Sequence, residues 1–170
     1  DNELDIDSLG TGKNWDGITK TAIFLVLPEQ DKSFDFVLGM VYTQIFNRLI
    51  ELADTYFRGP LPVPVEFLMD EFANGVRPVG FDKYITTIRS RNMSAAMAVQ
   101  SIDQLKTVYK GDTWGTLMDA CSIFLFLGAG RGSYATHEFI SKLLGSATID
   151  KRSEDENRGQ DNSSGLRFGR

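Results

Sequence analysis

Four mostly apolar runs divide the chain, and between them apolar residues recur every three or four positions. The runs lie at residues 21–27, 65–71, 94–100 and 122–127. An apolar run without alternation is typical of a strand that is covered on both faces. Each run is therefore predicted to be a strand of a buried sheet.

Helices are predicted in the stretches between and after these runs. The apolar spacing predicts helices at about 33–56, 81–88, 102–120 and 133–144, the third of them as one or two short helices. Gly145 follows the last stretch and is a favourable residue at a helix C-terminus. Since strands and helices alternate, the predicted fold class is three-layer α/β, with right-handed crossovers and a mostly parallel sheet between helices.

The two ends of the chain differ from this middle part. Residues 1–20 are acidic, contain several glycines and lack periodicity, which predicts an irregular lead-in from a segment upstream. Residues 21–151 form the predicted α/β unit, and a weak pattern at 147–151 favours one more short strand. Residues 152–170 become mostly charged and polar, so we expect a disordered tail there.

Composition limits the classes of protein to which the chain can belong. Its 170 residues, 42% of them hydrophobic, suffice for one domain with an ordinary core. The formal net charge of -5 does not indicate the basic stripe of a nucleic-acid binder. Cys121 is the only cysteine, which excludes a disulfide framework and predicts a buried thiol. No apolar stretch reaches the roughly 18 residues that a membrane span needs.

Polar residues at the ends of two predicted strands are the first candidates for chemistry. In an open parallel sheet, ligands collect at the carboxyl ends of the strands. Asp70 and Glu71 end one strand and Gln100 ends the next. An acid in the position of Asp70 can hold Mg²⁺ through water while the next acid polarises an attacking water. Gln100 can orient water or sense a phosphate. The alternative is that all three are ordinary polar residues at the start of loops.

Other polar residues give weaker signals. Arg89 and Arg91 lie near a predicted helix end, where cations complement the helix dipole without any further role. His137 is the only histidine, and no cysteine or second histidine lies near it in the sequence, which argues against a metal site there.

Two glycine-rich segments resemble nucleotide loops but lack their defining residues. The segment Gly10–Lys13 is followed by Asn14 where Ser or Thr would bind Mg²⁺, and Asp7 stands where the first glycine belongs. The loop at 128–132 is followed by Ser133 where the dinucleotide pattern needs glycine. The first is predicted not to bind phosphate, and the second is interpreted as a tight turn.

The segment Phe67–Ala73 resembles the Walker B segment of the TraG/TraD family of conjugative coupling proteins, which are related to FtsK-type DNA pumps. The similarity covers roughly residues 18–153. Further segments that match the family in order are 22–26, 78–79, 88–91, 99–101, 104–105, 126–128 and 142–145.

The resemblance implies a role for each candidate residue. Asp70 would hold Mg²⁺ through water, Glu71 would be the general base, and Gln100 would be the nucleotide sensor. Arg89 would be an arginine finger that reaches the nucleotide of a neighbouring subunit. The role of Arg89 rests on the family resemblance alone, because its position near a helix end does not assign it.

The resemblance also implies a partial RecA-like P-loop NTPase domain that lacks its Walker A strand. The full-length protein would be a membrane-anchored homo-hexamer at the cytoplasmic face of the bacterial cell membrane. With ATP and Mg²⁺ it would deliver relaxase–DNA complexes, including single-stranded DNA, to the channel proteins of a type IV secretion system. The Walker A loop, the anchor and an all-α domain would precede residue 1, so no cofactor and no ATPase activity are expected for the chain alone.

Two further functions stay open, and one structural expectation follows. A substrate-docking module for relaxosome proteins would need no chemistry, and a chromosomal DNA pump of the FtsK type would share the motor fold. Without the Walker A strand, we expect the strand at 122–127 to close onto the strand at 94–100. The chain would then be a monomer with the sheet order 122–127, 94–100, 65–71, 21–27.

Overall fold

The computed structural model describes residues 5–26 and 32–146 and shows a mixed α/β fold. Six α-helices and two strands occur in this part of the chain. The elements are α1 (Asp7–Thr11), α2 (Asp35–Glu51), β1 (Val65–Met69), α3 (Phe81–Ile85), β2 (Met93–Met97), α4 (Ile102–Val108), α5 (Thr113–Ala120) and α6 (Tyr134–Leu144). Short 3₁₀ turns lie at Lys13–Trp15, Lys32–Phe34 and Ile88–Arg91, and a π-helical turn at Leu52–Phe57 extends α2.

The two strands form a small parallel sheet. Val65 pairs with Met93 at one end, and Met69 pairs with Met97 at the other. Alternate residues of β1 point into the core, whereas Glu66 and Leu68 on the other face are exposed. The sheet is therefore covered on one face within the described residues, and it is smaller than the predicted three-layer, RecA-like sheet.

Aromatic side chains from α2 and the segments beyond it fill the covered face of the sheet. Phe46 is fully buried and stacks on Phe67 with ring centroids 4.1 Å apart. It also stacks on Tyr84 at 4.9 Å and contacts Phe81 edge-on at 5.9 Å. Such pairs contribute about 0.5–1.5 kcal/mol each beyond the burial of their apolar area. Phe46 thus joins α2, β1 and α3 in one core.

The predicted strands at 21–27 and 122–127 are not observed. In the described residues, 21–26 and 122–127 have irregular backbone, and the sheet holds β1 and β2 alone. Most of their side chains are exposed, up to 87% for Val26 and 89% for Leu127. Apolarity predicted burial, but a strand also needs a partner edge for its backbone hydrogen bonds. The predicted closure of 122–127 onto 94–100, and with it the four-strand order, is wrong.

The predicted helices are observed with shorter bounds. The stretch at 33–56 becomes α2 and its π-helical turn, and the stretch at 81–88 becomes α3 and the start of the turn Ile88–Arg91. The stretch at 102–120 contains the two short helices α4 and α5. Cys121, just after α5, is half-buried rather than buried, and its thiol contacts the Leu117 carbonyl at 3.2 Å.

The lead-in is more ordered than its composition predicted. Helix α1 packs against α2, and the Arg48 guanidinium donates two hydrogen bonds of 2.7 Å to the carboxylate of Asp7. The backbone N–H of Val63 donates to the Gly10 carbonyl, which ties α1 to the segment before β1. The described part of the lead-in therefore belongs to the same folded body as the sheet.

Some predictions lie outside the described residues, and one concerns the membrane. The short strand at 147–151 and the tail at 152–170 cannot be compared with the structure, because they fall beyond residue 146. Among the residues that the structure describes, none of the helices has the length and apolarity to cross a bilayer.

Candidate active site

The backbone pairing of the two strands continues past their ends and brings the candidate residues together. The Ala98 N–H donates to the Met69 carbonyl at 2.9 Å, and the Phe72 N–H donates to the Ala98 carbonyl at 2.8 Å. These two bonds hold the turn after β1 beside the segment after β2. As the sequence predicted for a parallel sheet, Glu71 and Gln100 lie at the same edge.

The turn that carries Asp70 and Glu71, which we call the acidic turn, has an unusual backbone. Glu71 adopts a left-handed conformation, with φ of 47°, which costs on the order of 1 kcal/mol or more for a residue other than glycine. Asp70 compensates, because its Oδ1 accepts the Glu71 N–H at 3.0 Å. The Glu71 carbonyl accepts the N–H groups of Asn74 at 2.8 Å and Gly75 at 2.6 Å. The direction of the Glu71 Cα–Cβ bond is thus fixed by its own turn.

A line of side-chain amides leads from the acidic turn to α4. The Gln100 Nε2 donates to Glu71 Oε1 at 2.7 Å, and the Gln104 Nε2 donates to Gln100 Oε1 at 3.3 Å. The Ser101 hydroxyl caps α4 by accepting the Gln104 backbone N–H. Glu71 and Gln100 are both exposed, so the carboxylate is accessible from solvent. The sequence placed Glu71 and Gln100 at the ends of two predicted strands but gave no role to Gln104.

Arg77 supports the acidic turn through hydrogen bonds to backbone carbonyls, and the sequence analysis did not identify it. Its Nη1 donates to the carbonyls of Ala73 at 2.6 Å and Phe72 at 3.3 Å. The guanidinium also lies 6.0 Å from the centre of the Tyr109 ring, which stacks on Phe72. Burial raises the pKa of the Tyr109 hydroxyl to about 12. Nothing in the apolar pattern distinguishes Arg77 from a solvated arginine.

The two arginines before β2 have different surroundings. Arg91 is paired with Asp54 through two hydrogen bonds of 2.7 Å, which lower the pKa of the Asp54 carboxyl, and it also donates to the Thr87 carbonyl. Arg89 is exposed, and within 5–26 and 32–146 its guanidinium makes no hydrogen bond or ion pair. Both precede β2, whereas Glu71 follows β1, so Arg89 and Glu71 lie at opposite ends of the parallel pair.

The residues present fit a magnesium ion held through water. Mg²⁺ usually keeps several waters and is bound by one or two carboxylates together with substrate phosphates. Asp70 and Glu71 supply two exposed carboxylates, and the Asp70 Oδ2 takes no hydrogen bond from the described residues. In that part of the chain no group of three or more His, Cys, Asp or Glu side chains forms an all-protein metal site. His137 instead lies 3.3 Å from the Gly130 carbonyl.

The two glycine-rich segments take part in packing and in turns of the backbone. In the segment Gly10–Lys13, Gly10 packs against Leu61, Thr11 is buried, and Gly12 takes the left-handed conformation that ends α1. This segment therefore has a packing role at the end of α1. The loop at 128–132 turns at Ser133, whose N–H donates to the Gly130 carbonyl, and it leads into α6.

Comparison with known families gives one match. A family model described as the TraM recognition site of TraD and TraG matches residues 64–168, more than half of the chain. The matched segment includes β1, the acidic turn, β2 and the helices α3 to α6. No curated protein and no solved structure matches the chain.

Proposed function

The chain belongs to the family described as the TraM recognition site of TraD and TraG, whose members act in conjugative transfer, and on this premise we propose that it is half of an ATP-driven translocation motor. The observation that carries the proposal is the hydrogen bond between Glu71 and Gln100 at the carboxyl ends of two parallel strands. An exposed carboxylate held by a neutral amide is suited to accept a proton from water.

Each residue of the site has a distinct task in this proposal. Bound Mg²⁺–ATP supplies the phosphoryl group and the charge that activates it. Asp70 holds the ion through water and fixes the Glu71 backbone with its other oxygen. Glu71 accepts the proton of the attacking water, and Gln100 orients the carboxylate that does so. In this proposal a Walker A loop from another part of the motor would bind the phosphates.

The exposed apolar runs support a larger, RecA-like sheet in the full-length motor. Residues 21–26 and 122–127 expose large apolar side chains, including Phe24, Val26 and Ile123. Contiguous exposed apolar residues are uncommon on a soluble monomer. In the proposed motor both runs become strands, with 122–127 beside the Walker A strand and 21–27 beside β1.

The same proposal assigns Arg89 to a neighbouring subunit's site. Arg89 lies at the end of the strand pair opposite to Glu71 and has no ion-pair partner within the described residues. It therefore cannot act on a nucleotide bound beside Glu71 of its own chain. A ring of subunits, such as the homo-hexamer that the family resemblance implies, would bring it to the next site at the cytoplasmic face of the membrane.

The family description favours a second function, which is docking of the relaxosome protein TraM. The matched segment includes α6, where Tyr134, Leu143 and Leu144 are exposed. A docking surface needs no nucleotide, and the full-length protein would use it to receive the relaxase–DNA complex. Calorimetry with purified TraM tests this function directly, and a chain that shows no binding heat would exclude docking by this segment.

ATP hydrolysis by the protein expressed from its full reading frame tests the motor proposal. Glu71→Gln keeps the hydrogen-bond geometry but removes the base, so turnover should fall by about 10² or more while ATP still binds. Glu66→Gln is a matched control, since Glu66 is an exposed carboxylate of β1 away from the turn. Equal ATPase rates in the Glu71→Gln variant and the parent would remove Glu71 from the mechanism, and no ATP hydrolysis by the parent would overturn the motor proposal.

A further inference from the structure

The amides of Gln100 and Gln104 form a chain with a fixed direction. A carboxylate only accepts hydrogen bonds, so Glu71 requires Gln100 to present its NH₂ group. The Gln100 carbonyl then faces α4, where it requires a donor. Gln104 provides this donor with its own NH₂ group. Hydrogen bonds in such a chain polarise one another, and each strengthens the next.

The Gln104 side chain does not make the hydrogen bond that its position in the helix predicts. Ser101 is the N-cap of α4 and Gln104 is the third helical residue, which is the arrangement of a capping box. In a capping box the Gln104 side chain would reach back to the Ser101 N–H. Here it reaches Gln100 instead. Its Oε1 is buried and has no partner in the described part of the chain.

A buried acceptor without a partner is unfavourable and calls for an explanation. Rotating the Gln104 amide by half a turn would place its Oε1 against the Gln100 Oε1, and two acceptors repel. In the observed orientation the Gln100 Oε1 has a hydrogen-bond donor, and the Gln104 Oε1 is left without one. The free-energy cost of the unpartnered Gln104 Oε1 is explained if the direction of the Gln100 amide is needed for function.

We propose that Gln104 is a positioning residue, which acts through Gln100 to hold the Glu71 carboxylate in the orientation needed for proton transfer. The inference rests on the proposed motor function for its catalytic consequence. Its structural part, the ordering of the Gln100 amide by Gln104, stands independently. Gln104 itself contacts neither the attacking water nor the nucleotide.

The substitution Gln104→Glu separates positioning from helix capping. Glutamate is equally suited to the third position of a capping box and to the first turn of a helix, so α4 should keep its stability. Its carboxylate cannot donate to the Gln100 carbonyl, and it competes with Glu71 for the Gln100 NH₂ group. Gln44→Glu, at an exposed position of α2, is the matched control for the same chemical change.

Two readouts are needed. In this chain, ¹⁵N relaxation of side-chain amides should show that the Gln100 amide is ordered in the parent and in Gln44→Glu. In Gln104→Glu it should be as mobile as an exposed glutamine. In the protein expressed from its full reading frame, Gln104→Glu should lower kcat about tenfold or more with KM for ATP little changed, since misplacement of a reacting group costs up to about 10²-fold. In a Gln100→Ala background the same substitution should have no further effect on kcat.

The outcomes distinguish this inference from the proposed function. An ordered Gln100 amide in Gln104→Glu, or an unchanged kcat, overturns the positioning role. A further loss of kcat in the Gln100→Ala background also overturns it, because Gln104 would then act by another route. If the parent protein hydrolyses no ATP, the motor proposal fails, and the relaxation data alone decide whether Gln104 orders Gln100.

Discussion

In the acidic turn, a strained backbone conformation sets the direction in which the Glu71 side chain leaves the main chain. Glu71 keeps a left-handed backbone, and the turn closes because Gly75 brings its N–H within 2.6 Å of the Glu71 carbonyl. A Cβ atom at position 75 would lie 3.1 Å from that same carbonyl oxygen. The absence of a side chain at Gly75 is therefore part of what places the Glu71 carboxylate.

The first residue-scale prediction concerns Gly75→Ala. The added methyl group crowds two backbone carbonyls, which cannot move without opening the turn, so we expect a loss of about 1–3 kcal/mol in the free energy of unfolding. Gly115→Ala is the control, because nothing lies within 4 Å of its Cβ position in α5. That control should gain about 0.5–1 kcal/mol. Urea unfolding measures both, and equal stabilities for the two variants would contradict the role of Gly75.

The second residue-scale prediction concerns pH. The hydrogen bonds from Arg48 lower the pKa of the Asp7 carboxyl in the folded chain below its ordinary value of 3.8. A folded-state pKa below the unfolded one stabilises the fold above the unfolded value, and this stabilisation is lost as the pH falls through the folded value. Asp7→Asn should therefore be less stable than the parent at pH 7, and the difference should shrink below about pH 3.8.

Asp5→Asn is the control for this pH dependence, since its carboxylate makes no ion pair within the described residues. Thermal unfolding at several pH values gives the comparison. A difference between Asp7→Asn and the parent that stays constant down to pH 2 would show that the ion pair with Arg48 is not its source.

At the scale of elements, sequence patterns predicted helices better than strands. The spacing of Ile45, Leu49 and Leu52 specifies a buried stripe that a single helix can form by itself, so α2 was predictable. A strand depends on a partner, and the apolar character of 21–27 and 122–127 reveals no partner. Likewise, the edge position of Glu71 and Gln100 followed from the parallel sheet, but the contact with Gln104 depended on a side-chain orientation that no pattern encodes.

The element-scale prediction concerns the contact between α2 and β1. Phe46→Ala removes the ring that stacks on Phe67 and Tyr84, and large-to-small substitutions of this kind cost about 3–5 kcal/mol. Phe36→Ala, on the same helix but exposed, should change stability by no more than about 0.5 kcal/mol. Denaturant unfolding of both variants tests the prediction, and similar losses would mean that the core is centred elsewhere.

At the scale of the whole molecule, the two ends of the strand pair carry different charged groups. One end carries the Glu71–Gln100 pair, and the other carries Arg89 beside the Arg91–Asp54 ion pair. An arginine that is exposed and unpaired within the described residues, next to one that is held in place, is consistent with a contact made between subunits. Arg91 fixes the turn that presents Arg89 by donating to the Thr87 carbonyl.

The whole-molecule prediction tests that contact by complementation in the protein expressed from its full reading frame. Arg89→Ala should lower ATP hydrolysis by about 10³ or more if the guanidinium stabilises the transferred phosphoryl group in the neighbouring site. Glu71→Gln should be inactive for a different reason, because it removes the base. In mixed assemblies, some interfaces combine an intact Glu71 from one subunit with an intact Arg89 from the next, so activity should reappear at intermediate mixing ratios. Arg58→Ala, another exposed arginine, should keep the parental rate. If mixtures of the two inactive variants stay inactive at every ratio while still assembling, Arg89 does not act across subunits.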